Sequence, residues 1–388
     1  MQHHFHAWAG ASTSYVNSII SSGLDIHFED LPKVEPPPYK ENMKGDTFMC
    51  LLIEAHKAHV RDAVTRHLAT STVAALVFDF MCASMLDVAK EFNVPGYIYI
   101  PSNASFLGLM LYLPTLHAKE DVNNVVDIPV LRSAPPSSMP EFMMDQNNEA
   151  YTILLNYSHK MREATGFIVN TFVELEKKAL KALETGQCLP DHPMAAVFSV
   201  GPLVAVGKES LEKHECIRWL DAQPAKSVVF LCFGSVGCFS KEVVKEMALG
   251  LERSGQRFLW ALRTPSQVFQ VNHKEVDLDE ELPEGFLERT RERGLPLYAE
   301  QHMNALMVVR EIGVALELKV DRKKGGLVRS EELENVVRCL MEGEEGRKVR
   351  ERAEEMKVDG RMAMEEGGSS CAALEFFVHQ CMEGISLI

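Results

Sequence analysis

Two polar residues follow apolar runs of strand length, and their types could support catalysis. Asp79 comes directly after VAALVF, and Ser235 lies in FGSVG just after SVVFLCF. In open parallel sheets, ligands bind outside the carboxyl ends of the strands, so both residues stand where a site would form. Asp79 could orient a catalytic base or merely cap the following helix, and its position does not decide between these roles. The Ser235 hydroxyl and the amides near Gly234 could hold a phosphate, although a plain strand-to-helix turn is the simpler interpretation.

A third candidate lies in the stretch RERGLPLYAEQHMN (291–304), where Glu300 and Gln301 offer polar side chains in an expected loop. EGFLERTRERGL (284–295), which ends at this junction, is typical of a charged helix that runs into the start of a buried strand. No strand is predicted after it, because the pattern changes abruptly between Leu295 and Pro296. This junction suggests that an internal segment is missing.

Other motifs carry less weight. FGSVG is not a nucleophile elbow, because Phe233 occupies the first glycine position. No GxGxxG follows a strand, so the dinucleotide-binding fingerprint is absent. His3, His4 and His6 are expected to form a solvated terminus, so we predict no metal site.

Composition limits the classes of protein that remain. With 388 residues, 46% of them hydrophobic, the chain is predicted to form two domains. The formal net charge of −15 disfavours a nucleic-acid partner. The nine cysteines are scattered and odd in number, which favours a reduced, cytoplasmic protein. No apolar run is long enough for a membrane span. The protein is expected to be a monomer.

Strand and helix patterns alternate along the chain, which predicts βαβ units and parallel sheets. Strands are predicted at 73–80, 97–100, 166–172, 227–233 and 257–262. Ser240 is expected to cap a helix that ends at Gly255, and helices are predicted beyond Gly326. The predicted division is an N-terminal domain at 1–198, a linker at 199–226, a second domain at 227–370 and a C-terminal helix at 371–388 that returns to the first domain.

Several long stretches together resemble the plant family 1 UDP-glycosyltransferases, in the branch that acts on flavonoids and related phenolics. In the second half they are WLDAQPAKSVVFLCFGSVGCFSKEVVKEMALGLERSGQRFLWALR, LPEGFLERTRERGL, PLYAEQHMNALMVVREIGVALEL and EEGGSSCAALEFFV. In the first half they include ALVFDFMCASMLDVAKEFNVPGYIYIPSNASFLGLMLYLPTLH and GFIVNTFVELE. The resemblance covers nearly the whole chain from about Thr13.

The resemblance implies a GT-B fold, in which two Rossmann-like domains face a cleft. It implies inverting, metal-independent transfer of a sugar, expected to be glucose, from a UDP-sugar to a phenolic hydroxyl; the UDP-sugar is a co-substrate and no cofactor is needed. Asp79 matches the aspartate that orients the base histidine. Ser235, with Gly234 before it, matches the donor-phosphate serine, and Glu300 and Gln301 match the pair that hydrogen-bonds the sugar.

The resemblance also implies that both domains are incomplete. Neither the strand and turn that bear the base histidine nor most of the donor signature box is recognised, and the three histidines near the start are not expected to replace the base. Loss of the base alone is expected to lower the rate by roughly 100- to 10,000-fold. Loss of the box is expected to leave strands unpaired at the Leu295–Pro296 junction, with low stability and aggregation. The chain is therefore predicted to be an impaired transferase.

Two alternatives from other classes stay open. A non-catalytic remnant could bind hydrophobic small molecules or a protein partner through the first domain, with SNASFLGLMLYL (102–113) lining a pocket, although a core helix is the default interpretation of that segment. A Rossmann-type oxidoreductase is disfavoured by the missing glycine fingerprint.

Overall fold

Alternating strands and helices build two parallel sheets in this protein, as the sequence predicts. The structure is a computed structural model, and it describes residues 16–17, 19–38, 45–118, 126–134, 146–147, 149–204, 215–231, 239–260, 262, 278–290, 294–296, 312–319 and 327–385. The chain divides into two compact units. One comprises Glu29–Ala205 and Glu355–Ile388, and the other comprises Met1–Phe28 and Val206–Glu354.

The sheet of the first of these units has four parallel strands in the order β1-β2-β5-β6. They are β1 (Leu76–Asp79), β2 (Gly96–Ile100), β5 (Gly166–Val169) and β6 (Ala196–Ser199). The central strands β2 and β5 are almost entirely buried, which is expected for parallel strands covered by helices on both faces. Val77 on the outer strand β1 is 49% exposed.

Helices and a small hairpin surround this sheet. The helices are α1 (Gly45–Ala55), α2 (Lys57–Leu68), α3 (Leu86–Glu91), α4 (Ala104–Ala118), α5 (Glu149–Met161) and α6 (Lys177–Glu184), with a 3-10 helix at Phe80–Met85. Strands β3 (Val126–Ile128) and β4 (Leu131–Ala134) form an antiparallel hairpin that the sequence did not predict. Strand β6 was also not predicted separately, and the expected linker 199–226 therefore starts within it.

The sheet of the second unit has three parallel strands in the order β7-β8-β9. They are β7 (Val228–Leu231), β8 (Arg257–Trp260) and β9 (Gly294–Pro296). The expected start of a strand at the end of RERGL is confirmed, since β9 begins at Gly294 and pairs with β8 as far as Pro296. The expectation that no strand continues beyond the junction concerns residues outside the described ranges and stays a prediction. Proline favours an extended residue before it and is tolerated in an outer strand, which explains why this junction can pair.

The helices of the second unit are α7 (Glu215–Asp221), α8 (Lys241–Ser254), α9 (Leu278–Glu281), α10 (Phe286–Thr290) and α11 (Ser330–Glu342). The predicted limits of α8 are confirmed. Ser240 Oγ accepts from the Val243 amide at 3.5 Å, and Gly255 ends the helix at a φ of +71° that suits glycine. Helix α8 packs closely on α11 at Gly250. A Cβ at this position would lie only 2.7 Å from the Ser330 carbonyl oxygen, so a larger residue would not fit.

Two helices complete the chain, α12 (Glu344–Met364) and α13 (Ser369–Ile385). Helix α13 covers one face of the first sheet. Its Phe377 meets Tyr97 edge-on at 5.0 Å between ring centroids and lies 5.3 Å from Phe198. The Ser370 hydroxyl donates to the Gly201 carbonyl at 2.5 Å, which fixes the start of the helix. No helix in the described part of the chain is long and apolar enough to cross a membrane.

A small ion-pair network joins three helices of the first unit. Asp87 on α3 accepts from Lys160 on α5 at 2.5 Å and from Lys57 on α2 at 2.7 Å. These hydrogen bonds, from Lys160 first and then from Lys57, hold the pKa of Asp87 below its usual value. The carboxylate is 39% exposed, so water screens much of the interaction.

Replacing Asp87 with asparagine is expected to lower the free energy of unfolding by about 1 kcal/mol or less at neutral pH. A lowered pKa in the folded state means that this contribution is fully present above pH ~4 and is lost as the pH falls through the folded value. Urea unfolding of both proteins at pH 7 and near pH 3 measures the difference, which should be smaller at the lower pH. A difference that is as large near pH 3 as at pH 7 would contradict the ion-pair explanation.

Candidate functional site

Asp79 ends β1 and lies beside the carboxyl end of β2, where it pairs in register with Tyr99. Its Oδ1 accepts from the Met81 amide at 2.9 Å and so caps the 3-10 helix that follows. The capping role that the sequence left open is therefore confirmed. A second role in orienting a base is compatible with this geometry, because the bond to Met81 engages one carboxylate oxygen.

The environment of Asp79 is partly desolvated. Burial raises the pKa of Asp79 above its usual value, while the hydrogen bond from the Met81 amide opposes part of this rise. Burial, followed by the charges of Asp79 and Cys50, raises the pKa of the Cys82 thiol to about 11. The pKa of Tyr99 is also raised, by burial and then by Asp79. Cys82 and Tyr99 therefore remain protonated at neutral pH, and Asp79 is the group here that can carry charge.

A second polar residue at this edge of the sheet was missed in the sequence. Asn170 follows β5, and its side-chain amide donates to the Pro101 carbonyl at 3.2 Å while its oxygen accepts from the Leu203 amide at 2.8 Å. It thereby ties together the segments that leave β2, β5 and β6. The position of Asn170 directly after the apolar run GFIV is the signal that could have identified it.

A buried carboxylate supports the same edge. Glu176 is 5% exposed and accepts from the amides of Ala104 and Ser105, from the Ser105 hydroxyl and from the Thr171 hydroxyl, at 2.6–3.1 Å. A carboxylate at this position accepts hydrogen bonds from the free N–H groups at the start of α4. Its negative charge also interacts favourably with the positive end of the helix dipole. Sequence reasoning missed Glu176, since VELEKK by itself indicates only a charged helix.

Helix α4, which Glu176 caps, contains most of the apolar stretch 102–113. Its residues from Ala104 to Pro114 are all buried. The default interpretation as a core helix is therefore confirmed for these side chains. Phe106 makes an edge-on contact with Phe80 at 5.2 Å, which links this helix to the segment that follows Asp79.

The predicted donor-side residues, Gly234, Ser235, Glu300 and Gln301, lie outside the described residues, as do the three histidines near the start. In the described ranges, no group of three or more histidine, cysteine or acidic residues could hold a metal ion. Asp79 is thus the predicted site residue whose surroundings can be described.

Comparison of the amino-acid sequence with known proteins shows which class of protein the chain belongs to. UDP-glycosyltransferase 71K1 of Malus domestica is 38% identical over 431 residues, covering 94% of this chain and 88% of the relative. Malvidin galactosylase UGT88C3 of Oryza sativa subsp. indica is 38% identical, covering 91% and 84%. Phloretin 2'-O-glucosyltransferase of Malus domestica is 35% identical, covering 94% and 88%. No protein-family model matches the chain.

A solved structure leads to the same class. UGT2 of Phytolacca americana, complexed with UDP-2fluoro-glucose and pterostilbene, superposes with a TM-score of 0.79 at 28% identity, covering 91% of this chain and 86% of that one. The two parallel α/β sheets and this match define a glycosyltransferase with the predicted GT-B fold. The chain belongs to the plant UDP-glycosyltransferase family, as the resemblance implied.

The alignment with the first Malus domestica relative extends over 431 residues, more than the 388 of this chain. It therefore includes positions at which the relative has residues and this chain has none.

Proposed function

We propose that this chain is built to transfer glucose from UDP-glucose to a hydroxyl of a flavonoid or other small phenolic, with inversion and without a metal. The observation that carries the proposal is the sequence identity with phenolic glycosyltransferases over more than nine-tenths of the chain. The phloretin transferase and the pterostilbene complex support a phenolic acceptor. Glucose is favoured over galactose by the glucose analogue in that complex, while the malvidin galactosylase keeps galactose as the donor to be tested.

The acceptor side of the mechanism centres on Asp79. A phenol attacks well only when a base removes its proton during the reaction, and a histidine serves this purpose when a carboxylate fixes its tautomer. The Met81 amide holds Oδ1 of Asp79 and thereby sets the orientation of the carboxylate. Partial desolvation strengthens the attraction between this carboxylate and an imidazolium that forms nearby.

The donor side is assigned to residues of the second half. We assign the Ser235 hydroxyl, with Gly234 before it, to contact with the donor phosphates, and Glu300 and Gln301 to hydrogen bonds with the sugar hydroxyls. Departure of UDP requires donors aimed at the developing diphosphate charge. The protein acts as a monomer in the cytoplasm and needs no cofactor beyond the UDP-sugar.

Activity of the chain as written is impaired, because residues are missing at the Leu295–Pro296 junction. Two observations support this part of the proposal. The alignment with the Malus domestica relative is longer than this chain. In the described part of the second sheet, β7 pairs with β8 alone, and its Phe230 is 59% exposed, although strands of parallel sheets are normally covered.

The alternative of a non-catalytic binding remnant gains no support from the apolar stretch 102–113. This stretch could line a pocket for a hydrophobic small molecule, but its side chains from Ala104 onward are buried in the core. Binding of a phenolic acceptor without binding of UDP would favour this alternative.

The test is formation of a glycoside from UDP-glucose or UDP-galactose and either phloretin or malvidin, followed by liquid chromatography and mass spectrometry. The phloretin transferase of Malus domestica is assayed in parallel. We expect the chain as written to be at least roughly 100-fold slower than that enzyme. Full activity would contradict the impairment. Sequencing of full-length transcripts across the Leu295–Pro296 junction then shows whether messages with additional codons exist.

Substitutions of Asp79 separate its two roles. Asp79→Ala removes the cap and is expected to lower the free energy of unfolding by about 1 kcal/mol, whereas Asp79→Asn retains an acceptor and has little effect. In a restored chain, which carries the first Malus domestica relative's residues ahead of Thr13 and opposite the Leu295–Pro296 junction, Asp79→Asn is expected to lower the turnover rate by up to about 10,000-fold. Urea unfolding and the glycoside assay measure the two effects. If Asp79→Asn leaves the turnover rate of the restored chain unchanged, Asp79 caps the 3-10 helix and has no role in orienting a base.

A further inference from the structure

A groove lies between helix α6 and strand β6 of the first unit, away from Asp79. Its volume is about 580 Å³. Val173, Leu180 and Val197 contribute apolar walls. Strand β6 is the last strand of its sheet in the described part of the chain, so the groove runs along a sheet edge.

The pairing register shows which backbone groups of β6 face this groove. The Val200 amide donates to the Val169 carbonyl, and Val169 pairs in register with Ser199. Peptide groups alternate in direction along a strand, so those of Phe198 and Val200 face β5, while those of Val197 and Ser199 face outward. Both Val197 and Ser199 line the groove. Val197 is partly exposed, so the edge presents its N–H and C=O groups to another strand, whereas Ser199 is only 7% exposed.

Side chains on β6 alternate in the same way. Phe198 faces α13, where its ring lies 5.3 Å from that of Phe377. Val197 and Ser199 lie on the side of α6. Every second side chain of a strand added to β6 would therefore face α6.

The helix side of the groove carries positive charge. Helix α6, KKALKALE, has three lysines and one glutamate in a chain whose net charge is −15. Lys177, Lys181 and Glu184 line the groove, at the spacing of one helix face. Lys181 pairs with Glu184 at 3.0 Å, but both side chains are about two-thirds exposed, so the pair is weak and an incoming carboxylate can compete for the lysine.

We propose that this groove binds an extended acidic peptide segment of a partner protein, which adds to the edge of β6 as a further strand. Strand addition uses main-chain hydrogen bonds for affinity and alternate side chains for specificity. Acidic side chains at alternate positions would meet Lys177 and Lys181, while the apolar walls hold the peptide backbone. A small anion would use the lysines but not the outward peptide groups of the partly exposed Val197, which is why the peptide is the favoured occupant.

Fluorescence anisotropy tests the proposal with the full chain and a fluorescein-labelled eight-residue peptide that alternates threonine and glutamate. The double variant Lys177→Glu, Lys181→Glu is expected to weaken binding at least about tenfold, because it reverses the charge of the groove. The single variants Lys177→Glu and Lys181→Glu are measured as well, and Lys178→Glu is their matched control, since it makes the same charge change on α6 outside the groove lining. Far-ultraviolet circular dichroism of each variant shows that the fold is retained.

Two further probes separate strand addition from simple charge attraction. Peptides N-methylated on every second residue, prepared in both registers, are expected to include one that binds at least about tenfold more weakly, because methylation removes the N–H groups that face β6. Equal binding of both methylated peptides, equal weakening by Lys178→Glu, or displacement by inorganic phosphate as effective as that by unlabelled peptide would each overturn the proposal. Failure of the unmethylated peptide to bind would overturn it as well.

Discussion

Replacing Glu176 with alanine is expected to lower the free energy of unfolding of the first unit by about 3–5 kcal/mol. The substitution removes a buried carboxylate that accepts four hydrogen bonds and leaves the amides of Ala104 and Ser105 without their acceptors. Each unpaired buried donor costs about 1–3 kcal/mol, and the start of α4 is too buried for water to take over easily. Urea unfolding followed by circular dichroism measures the loss.

Two variants sharpen this experiment. Glu184→Ala removes an exposed carboxylate of α6 and is expected to change stability by less than about 0.5 kcal/mol. Glu176→Gln keeps one acceptor but directs an amide N–H₂ at groups that also donate, so it should be destabilising, though less than alanine. If Glu176→Ala unfolds with the same midpoint as Glu184→Ala, the carboxylate does not hold the start of α4 in solution.

On the proposal that a segment is missing at the Leu295–Pro296 junction, inserting there the segment that an alignment with the first Malus domestica relative assigns to it is expected to create UDP binding and to stabilise the second unit. The restored segment would supply donors for the diphosphate, and loss of one such donor typically costs about 100- to 1000-fold in rate. A strand added beside β7 would also cover Phe230, and burial of a phenylalanine contributes roughly 1.5–3 kcal/mol. Calorimetric titration with UDP and a thermal melt measure the two gains.

The matched control inserts a scrambled segment of the same length and composition. It should not bind UDP, and it should melt no higher than the chain as written. A sharp cooperative melt of the chain as written, as a soluble monomer, would contradict the low stability predicted from the junction. UDP binding that is equally strong without the insertion would contradict the assignment of the missing residues to the diphosphate site.

Most strands of both sheets could be predicted, because their apolar runs are bounded by glycine, proline or polar residues. Asp79 was identified for the same reason, since it directly follows one of these runs. The limits of α8 also follow from local chemistry, with a serine at one end and a glycine at the other. These features depend on neighbours in the sequence, which a single chain displays.

Features that depend on distant partners could not be predicted. Glu176 caps a helix whose first residue lies 72 positions earlier, and nothing near Glu176 in the sequence indicates this. Strand β6 is four residues long and follows a proline-containing loop, so its pairing with β5 decides its conformation. The start of β9 was predicted at the end of RERGL, but its pairing with β8 as far as Pro296 depends on a distant partner and could not be predicted.

The packing of α13 on the first sheet has a consequence for synthesis of the chain. Phe377 covers Tyr97 and Phe198, so a layer of the first unit's core comes from residues that the ribosome adds long after the strands of that sheet. At about 5–20 residues per second, the chain between Phe198 and Phe377 takes roughly 10–35 seconds to make. During that interval the aromatic face formed by Tyr97 and Phe198 stays uncovered, while residues 206–354 of the second unit are being translated. Nascent chains of this protein therefore expose a hydrophobic surface for chaperones to protect until Phe377 has been made.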